Sequence, residues 1–305
     1  MGRGARGVLM DTRRLAAFAL LVLASLLWSG NWVIGRALRD AFDPIALNFW
    51  RWLVAALVLA PFGMREALVR RSVIRRHIGL FALLAATGVV AFQSLVYLGL
   101  RTTTAINAVL INAAGPLFMV ICSWILEREK PSWRQIGGML ISFAGVLTVV
   151  SRGSWQTLLS LEFHRGDAWI LIAMPMWGLY SVLLKRAPAE LRGIAFAFTI
   201  AVIGVSLLLP LYAVDAWREP FRRPSSAEVG AILYIAIAAS VLAFLAWNRG
   251  VAVVGANAAG FTLPLLPAFG SVLAIVFLGE AFQGFHAAGF VIIVAGVVLA
   301  TYRRG

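Results

Sequence analysis

Residues 115–145 read GPLFMVICSWILEREKPSWRQIGGMLISFAG, and residues 266–296 read LPAFGSVLAIVFLGEAFQGFHAAGFVIIVAG. Laid over each other at a shift of 151 positions, they pair Pro116 with Pro267, Glu129 with Glu280, Gly138 with Gly289 and Gly145 with Gly296. Gly99 and Gly250 join at the same shift. A shift of 149 pairs Trp28 with Trp177, Arg36 with Lys185, Phe49 with Phe198 and Pro61 with Pro210. Chance identity among apolar residues is easy to find. Proline, glutamate and glycine matching at one shift is not, so the chain is a repeat. The difference between the shifts fits a two-residue insertion between the second and third helices of the unit.

The repeat is built from membrane-spanning material. The 305 residues are 61% apolar and 13% charged, with a mean hydropathy of +0.89. Soluble chains run about 45–50% apolar and about a quarter charged. A helix needs about 20 mostly apolar residues to cross the hydrocarbon, and ten blocks qualify: 15–38, 44–62, 77–100, 103–126, 133–150, 167–184, 193–212, 229–249, 257–278 and 286–301. The splits at 100–103 and 249–257 are the tightest. The expected fold is an all-α polytopic membrane protein with ten transmembrane helices.

Ten spans make two five-helix units, 15–150 and 167–301, and five is odd. The second unit must then enter the bilayer from the opposite face, so the units are inverted repeats. Equivalent loops differ in charge accordingly: five arginines against Glu66 after helix two, but three against Asp215, Glu219 and Glu228 after helix seven. Cytoplasmic loops carry the Lys/Arg excess. With both termini cytoplasmic, seventeen of the 27 basic residues fall on that side and eight on the other, leaving Arg51 and Arg249. The net charge of +14 therefore points to anionic lipid at the inner rim rather than to nucleic acid. Arg13-Arg14 before an apolar run resembles a twin-arginine signal, but no small-residue cleavage site follows, so this reads as a retained first helix.

Several chemistries are excluded. The single Cys122 allows neither a disulfide framework nor a thiolate metal site, and His77, His164 and His286 have no ligand spacing. No Gly-rich loop ends in Gly-Lys-Ser/Thr, and no Asp, Glu or His constellation sits inside a span. Neither a metal, a cofactor nor an enzymatic reaction is expected. The partners are a small-molecule substrate and the lipid bilayer.

Two five-helix units ending in a Gly-rich helix, with Pro116 before Glu129 and Pro267 before Glu280, resemble the EamA-type branch of the drug/metabolite transporter superfamily. The likeness runs from about Leu15 to Thr301 and is greatest to YddG-like amino-acid exporters. It implies export of amino acids, aromatic ones included, and of cationic drugs across a bacterial inner membrane. Its motifs are specific for the superfamily and weak for the substrate.

Polar groups inside spans usually face a cavity or a neighbouring helix. In helix one, Ser25, Trp28, Asn31 or Trp32, and Gly35 share a face; helix six offers Trp177, Tyr180 and Ser181. At the 149 shift Asn31 meets Tyr180. These residues either line a substrate cavity or fill helix–helix gaps, and Trp beside a polar group in mid-span favours the cavity. In helix three Gln93 and Tyr97 stand four apart, with Phe244 and Asn248 as counterparts. Gln93 either binds the solute or clamps two helices, a bond averaging about 0.6 kcal/mol. Helix four carries Asn107, Asn112 and Gly115-Pro116; helix nine carries Thr262, Pro264 and Pro267. Interruptions at corresponding places point to a transporter's site, with Pro116 and Pro267 gating or shaping it. Asn107 and Asn112 are about 140° apart around the helix, so one of them is structural. Arg51, between Trp50 and Trp52, suits a gating or structural role slightly better than direct binding. The glycine faces of helices five and ten suggest outer scaffold or a dimer contact.

All thirteen acids fall in loops or at span ends, which leaves proton coupling unsupported and a facilitator rocking between two states at least as good a reading. The expected function is secondary or facilitated export of small neutral, zwitterionic or flat cationic solutes, probed by saturation kinetics against a channel. A sugar-phosphate or nucleotide-sugar carrier would need more buried Lys/Arg than Arg51 and Arg249; a membrane enzyme remains the rival from another class.

Overall fold

The computed structural model describes residues 2–218, 224–278 and 283–301. Ten helices long and apolar enough to cross a membrane follow one another: α1 Thr12–Ala37, α2 Pro44–Val69, α3 Ile78–Thr102, α4 Asn107–Glu127, α5 Trp133–Val150, α6 Arg165–Arg186, α7 Gly193–Trp217, α8 Ser226–Val254, α9 Ala256–Leu273 and α10 Gly284–Thr301. No strand occurs among the described residues. Glu280, paired with Glu129 in the repeat, lies outside them.

Local chemistry explains the boundaries. Pro44 opens α2 behind Asp43, whose carboxylate accepts the Ile45 amide at 2.8 Å. Capping boxes start α5 (Ser132 with Gln135) and α8 (Ser225 with Glu228). The second of these begins α8 at Ser226, ahead of the apolar onset at Val229. Helix α2 also runs on to Val69, past the last apolar block, because Arg65 and Glu66 project from an exposed face and need no apolar surroundings.

The helix neighbours follow the repeat. Helix α1 packs on α8 and α9, while α6 packs on α3 and α4; α2 pairs with α7, and α5 with α10. Exchanging each helix for the one five places on turns this set into itself. Individual contacts do the same: Leu21 rests on Gly250, and the repeat-related Ile170 rests on Gly99, with no room for a Cβ at either glycine. Each unit's first helix thus packs against the other unit, so the two units share one bundle.

Two pairs of irregularities also correspond. Helix α3 carries a π-helical turn at Ala85–Ala91 and α8 one at Ile235–Leu242. Such turns free carbonyls, and these accept from side chains: Val89 O from Asn48 Nδ2 at 2.9 Å, and Ala239 O from Trp28 Nε1 at 3.0 Å. Helix α4 breaks at Ala114, before Gly115-Pro116; α9 breaks between Gly260 and Leu265, around Pro264.

The glycines of α5 and α10 face one another. A Cβ on Gly138 would stand 2.5 Å from Gly296 O, and one on Gly145 would stand 2.9 Å from Gly289 O. That close approach is made inside one chain, so these faces offer no surface to a second copy.

Candidate functional site

Where α1, α6 and α8 cross, three tryptophans meet. The rings of Trp28 and Trp177 are 5.1 Å apart edge to face, and Trp247 lies 5.3 Å from Trp28 and 5.4 Å from Trp177. Phe92 approaches Trp177 to 4.9 Å, and Tyr180 to 5.2 Å. Edge-to-face and tilted geometry is what aromatic quadrupoles favour. Two of the three indole N–H groups are used: Trp28 Nε1 donates to the π-turn carbonyl, and Trp247 Nε1 donates to Ser181 Oγ at 3.2 Å.

Beside this cluster lies a small cavity of about 20 Å³, lined by Trp28, Asn31, Trp32, Phe92, Gln93, Asn112, Gly115, Met174, Trp177, Leu263 and Leu266. It has room for a water molecule and none for a metabolite. A wider vestibule of about 280 Å³ shares Trp32, Asn112 and Leu266 with it and extends past Pro267, Gly270 and Ser271 to Arg152 and His286. At the other end of α9, a cavity of about 180 Å³ is lined by Lys185, Arg192, Asn248, Arg249 and Ala252, among others.

Arg51 is 1% exposed, in the bundle interior. Its Nε donates to Ser240 Oγ at 2.8 Å; one terminal nitrogen donates to Gln93 Oε1 and Tyr97 Oη, both at 2.7 Å, and more weakly to Asn31 Oδ1 at 3.4 Å. Every one of these partners is neutral. Arg51 also stands 5.7 Å from the Trp52 ring centroid, close enough for a cation–π contribution.

Two hydrogen bonds bracket the aromatic cluster. Tyr97 Oη donates to Asn31 Oδ1 at 3.0 Å, joining α3 to α1; Tyr180 Oη donates to Asn248 Oδ1 at 2.7 Å, joining α6 to α8. Asn31 and Tyr180 are repeat equivalents, as are Tyr97 and Asn248. The same bond is therefore made twice with the residue types exchanged, once on each side of the tryptophans.

Polar clasps close the bundle farther out. Asp167, 1% exposed at the start of α6, accepts from Asn107 Nδ2 at 2.7 Å, from the His164 amide at 2.8 Å and from Thr103 Oγ1. Arg36 donates to the carbonyl of Leu100, in the last turn of α3, and to that of Thr103 just beyond it. At the opposite end its repeat equivalent Lys185 bridges Glu127 at 2.5 Å and Glu129 at 3.2 Å, and Glu129 accepts from Ser123 and Asn257. Removing the Asp167 carboxylate strands buried donors, each worth about 1–3 kcal/mol. Asp167→Ala is accordingly expected to lower the thermal unfolding midpoint in detergent well below that of wild type.

Of the residues singled out in the sequence, Trp28, Asn31, Trp32, Gln93, Asn112 and Trp177 line the central cavity, and Pro267 lines the vestibule. Tyr97 and Tyr180 sit one layer behind, in the bracketing bonds, and Asn248 faces the cavity by Lys185. Asn107 belongs to the Asp167 clasp, whereas Asn112 lines the central cavity. Thr262 is buried in the α9 break, where its carbonyl takes Ser25 Oγ at 3.2 Å. Pro116 starts the second half of α4, outside the three cavities described above. Sequence reasoning missed Trp247, Ser240 and Asp167. Asp167 is at a span end, as all acids were expected to be, yet it is buried. Trp247 carried a usable signal, since it precedes Asn248 on a span already marked as polar.

The chain matches the EamA-like transporter family over residues 15–151 and 164–302. It is similar to an uncharacterized transporter of Archaeoglobus fulgidus, 29% identical with 93% of this chain and 97% of the relative covered. It is also similar to a probable terminal-alkyne amino-acid exporter of Streptantibioticus cattleyicolor, 27% identical over 93% of this chain and 92% of the relative. An S-adenosylmethionine/S-adenosylhomocysteine transporter of Chlamydia trachomatis is 22% identical, covering 91% and 87%. A solved crystal structure at 21% identity superposes with a TM-score of 0.72 over 95% of this chain and 96% of that one, a likeness of fold. With the two matched stretches spanning most of its length, the protein is a multi-pass membrane protein of the EamA-like transporter family.

Proposed function

We propose that this transporter carries small metabolites with an amino-acid end out of the cell by alternating access, with its two five-helix units threaded in opposite directions. The observation that carries the reading is the repeated Tyr–Asn bond on either side of an aromatic-lined cavity, with a wider space beyond it at each end of the bundle. Two equivalent closures around one central position are what a carrier opening to either side in turn requires. Both termini then face the cytoplasm, and the vestibule at Arg152 faces outward across the inner membrane.

The aromatic and carboxamide lining suits zwitterionic or neutral solutes with a flat side chain. The relatives support the class: a terminal-alkyne amino acid and S-adenosylmethionine, the solutes in their names, each bear an amino-acid group. The test is tryptophan counterflow into proteoliposomes of purified protein. Saturable exchange is expected without an imposed pH gradient or potential. Strict dependence on either gradient would overturn the facilitator, and flux linear in concentration would overturn the carrier.

A further inference from the structure

The cavity's polar edge has a direction of charge. Arginine has only donors, so the side-chain atoms that face Arg51 must be acceptors. Gln93 and Asn31 therefore turn their amide oxygens to it, which fixes an assignment otherwise ambiguous in a carboxamide. Tyr97 accepts from Arg51 and spends its own hydrogen on Asn31; Ser240 accepts from Arg51 and spends its hydrogen on Ile235 O at 2.9 Å. The two hydrogens of that terminal nitrogen go to Gln93 and Tyr97, the longer contact to Asn31 being shared, and Tyr97 passes donation on to Asn31 Oδ1.

The remaining ends of the two carboxamides, Asn31 Nδ2 and Gln93 Nε2, make no hydrogen bond with the described residues. Both residues line the central cavity while being only 2% and 6% exposed. Asn112, 6% exposed, lines both the cavity and the vestibule and has no hydrogen-bond partner among the described residues. Arg51 forms no ion pair among the described residues. A buried cation with neutral partners alone is costly and creates a local demand for negative charge.

We infer that the Asn31 and Gln93 amide nitrogens form a carboxylate cradle in the central cavity, polarised from behind by Arg51. The ligand class is a solute bearing one carboxylate, whose apolar end lies against Trp28 and Trp177. Arg51 is a positioning residue: it holds both amides with their nitrogens toward the solute and supplies the charge that the carboxylate neutralises through them. Charge-assisted hydrogen bonds are about twice as strong as neutral ones, so this cradle separates a carboxylate from a group of the same size without charge. The inference rests on the proposed amino-acid transport and gives that site its orientation.

Gln93→Glu tests it with little change of shape. The new carboxylate keeps an acceptor on Arg51, neutralises it, and removes one cavity donor. Binding of L-tryptophan and of tryptamine, which lacks only the carboxylate, is measured by equilibrium dialysis on purified wild type, Gln93→Glu and Arg51→Leu. Wild type is expected to prefer tryptophan, and Gln93→Glu to reduce the tryptophan-to-tryptamine affinity ratio about tenfold or more. Arg51→Leu, where it folds, reduces the ratio as well. If wild type binds both ligands and Gln93→Glu leaves their ratio unchanged, the cradle is wrong while the transport reading stands. If wild type binds neither, the amino-acid reading falls and the cradle with it.

Discussion

Gly138→Leu is expected to yield no stably folded protein in detergent. A Cβ at this position would stand 2.6 Å from Ala300 N and 2.7 Å from Ala300 Cβ as well as 2.5 Å from Gly296 O, so α5 and α10 would have to separate along their length. Overpacking ordinarily costs about 1–3 kcal/mol where side chains can yield; here backbone is the obstacle, and the cost exceeds that range. Lipid supplies no hydrophobic drive to compensate, because helix association in a membrane depends on close packing of small residues. Gly137→Ala, one residue away, is the control: its nearest neighbour would be Leu299 at 3.9 Å, and unfolding should be unchanged or slightly delayed. Thermal melts followed by size-exclusion recovery read both.

Trp177→Ala is the second large effect. Its ring touches those of Trp28, Phe92, Tyr180, Phe244 and Trp247, and the residue is 5% exposed. Truncating so large a buried side chain costs about 3–5 kcal/mol in well-packed cores, and a fall of that order in detergent stability is expected. The same change enlarges the cavity that Trp177 lines and removes the surface against which a flat solute would stack. The apparent affinity for tryptophan in counterflow should weaken by about two- to tenfold, stacking of this kind being worth about 0.5–1.5 kcal/mol beyond area burial. Trp217→Ala, at a position 92% exposed, should change neither quantity.

The ten spans were legible because the apolar blocks are long and the polar breaks between them short. Their ends were less so: α2 continues to Val69 and α8 begins at Ser226, since a helix extends wherever caps and solvated side chains permit. The repeat announced which helices would correspond, and the proline breaks in α4 and α9 fell where Gly115-Pro116 and Pro264 marked them. The π-turns left no such trace. Ala85–Ala91 and Ile235–Leu242 are plain apolar stretches, and what holds the turns open comes from Asn48 and Trp28 on other helices.

The site divides in the same way. Trp28, Asn31, Gln93, Asn112 and Trp177 stood out as polar or aromatic groups in mid-span, and they share one cavity. The equivalence of Asn31 with Tyr180 was visible, but its meaning was not, because α1 and α6 each find the bonding partner on the third helix of the same unit. Arg51 showed as a charge inside a span; only three-dimensional placement reveals that its neighbours from α1, α3 and α8 are all neutral. Asp167 escaped notice because a span-end acid normally reaches water, whereas here the α3–α4 corner folds over it.

Alternating exposure is the claim on which the rest depends, and paired thiol accessibility tests it most directly. In a Cys122→Ala background, Ser271→Cys reports the vestibule and Ala252→Cys the cavity at the far end of α9. Each is labelled from its own side with an impermeant maleimide, with and without saturating solute. Solute is expected to change the two labelling rates in opposite directions, one rising as the other falls. Rates that rise together, or that both stay constant during active flux, would contradict a carrier whose two ends open in turn.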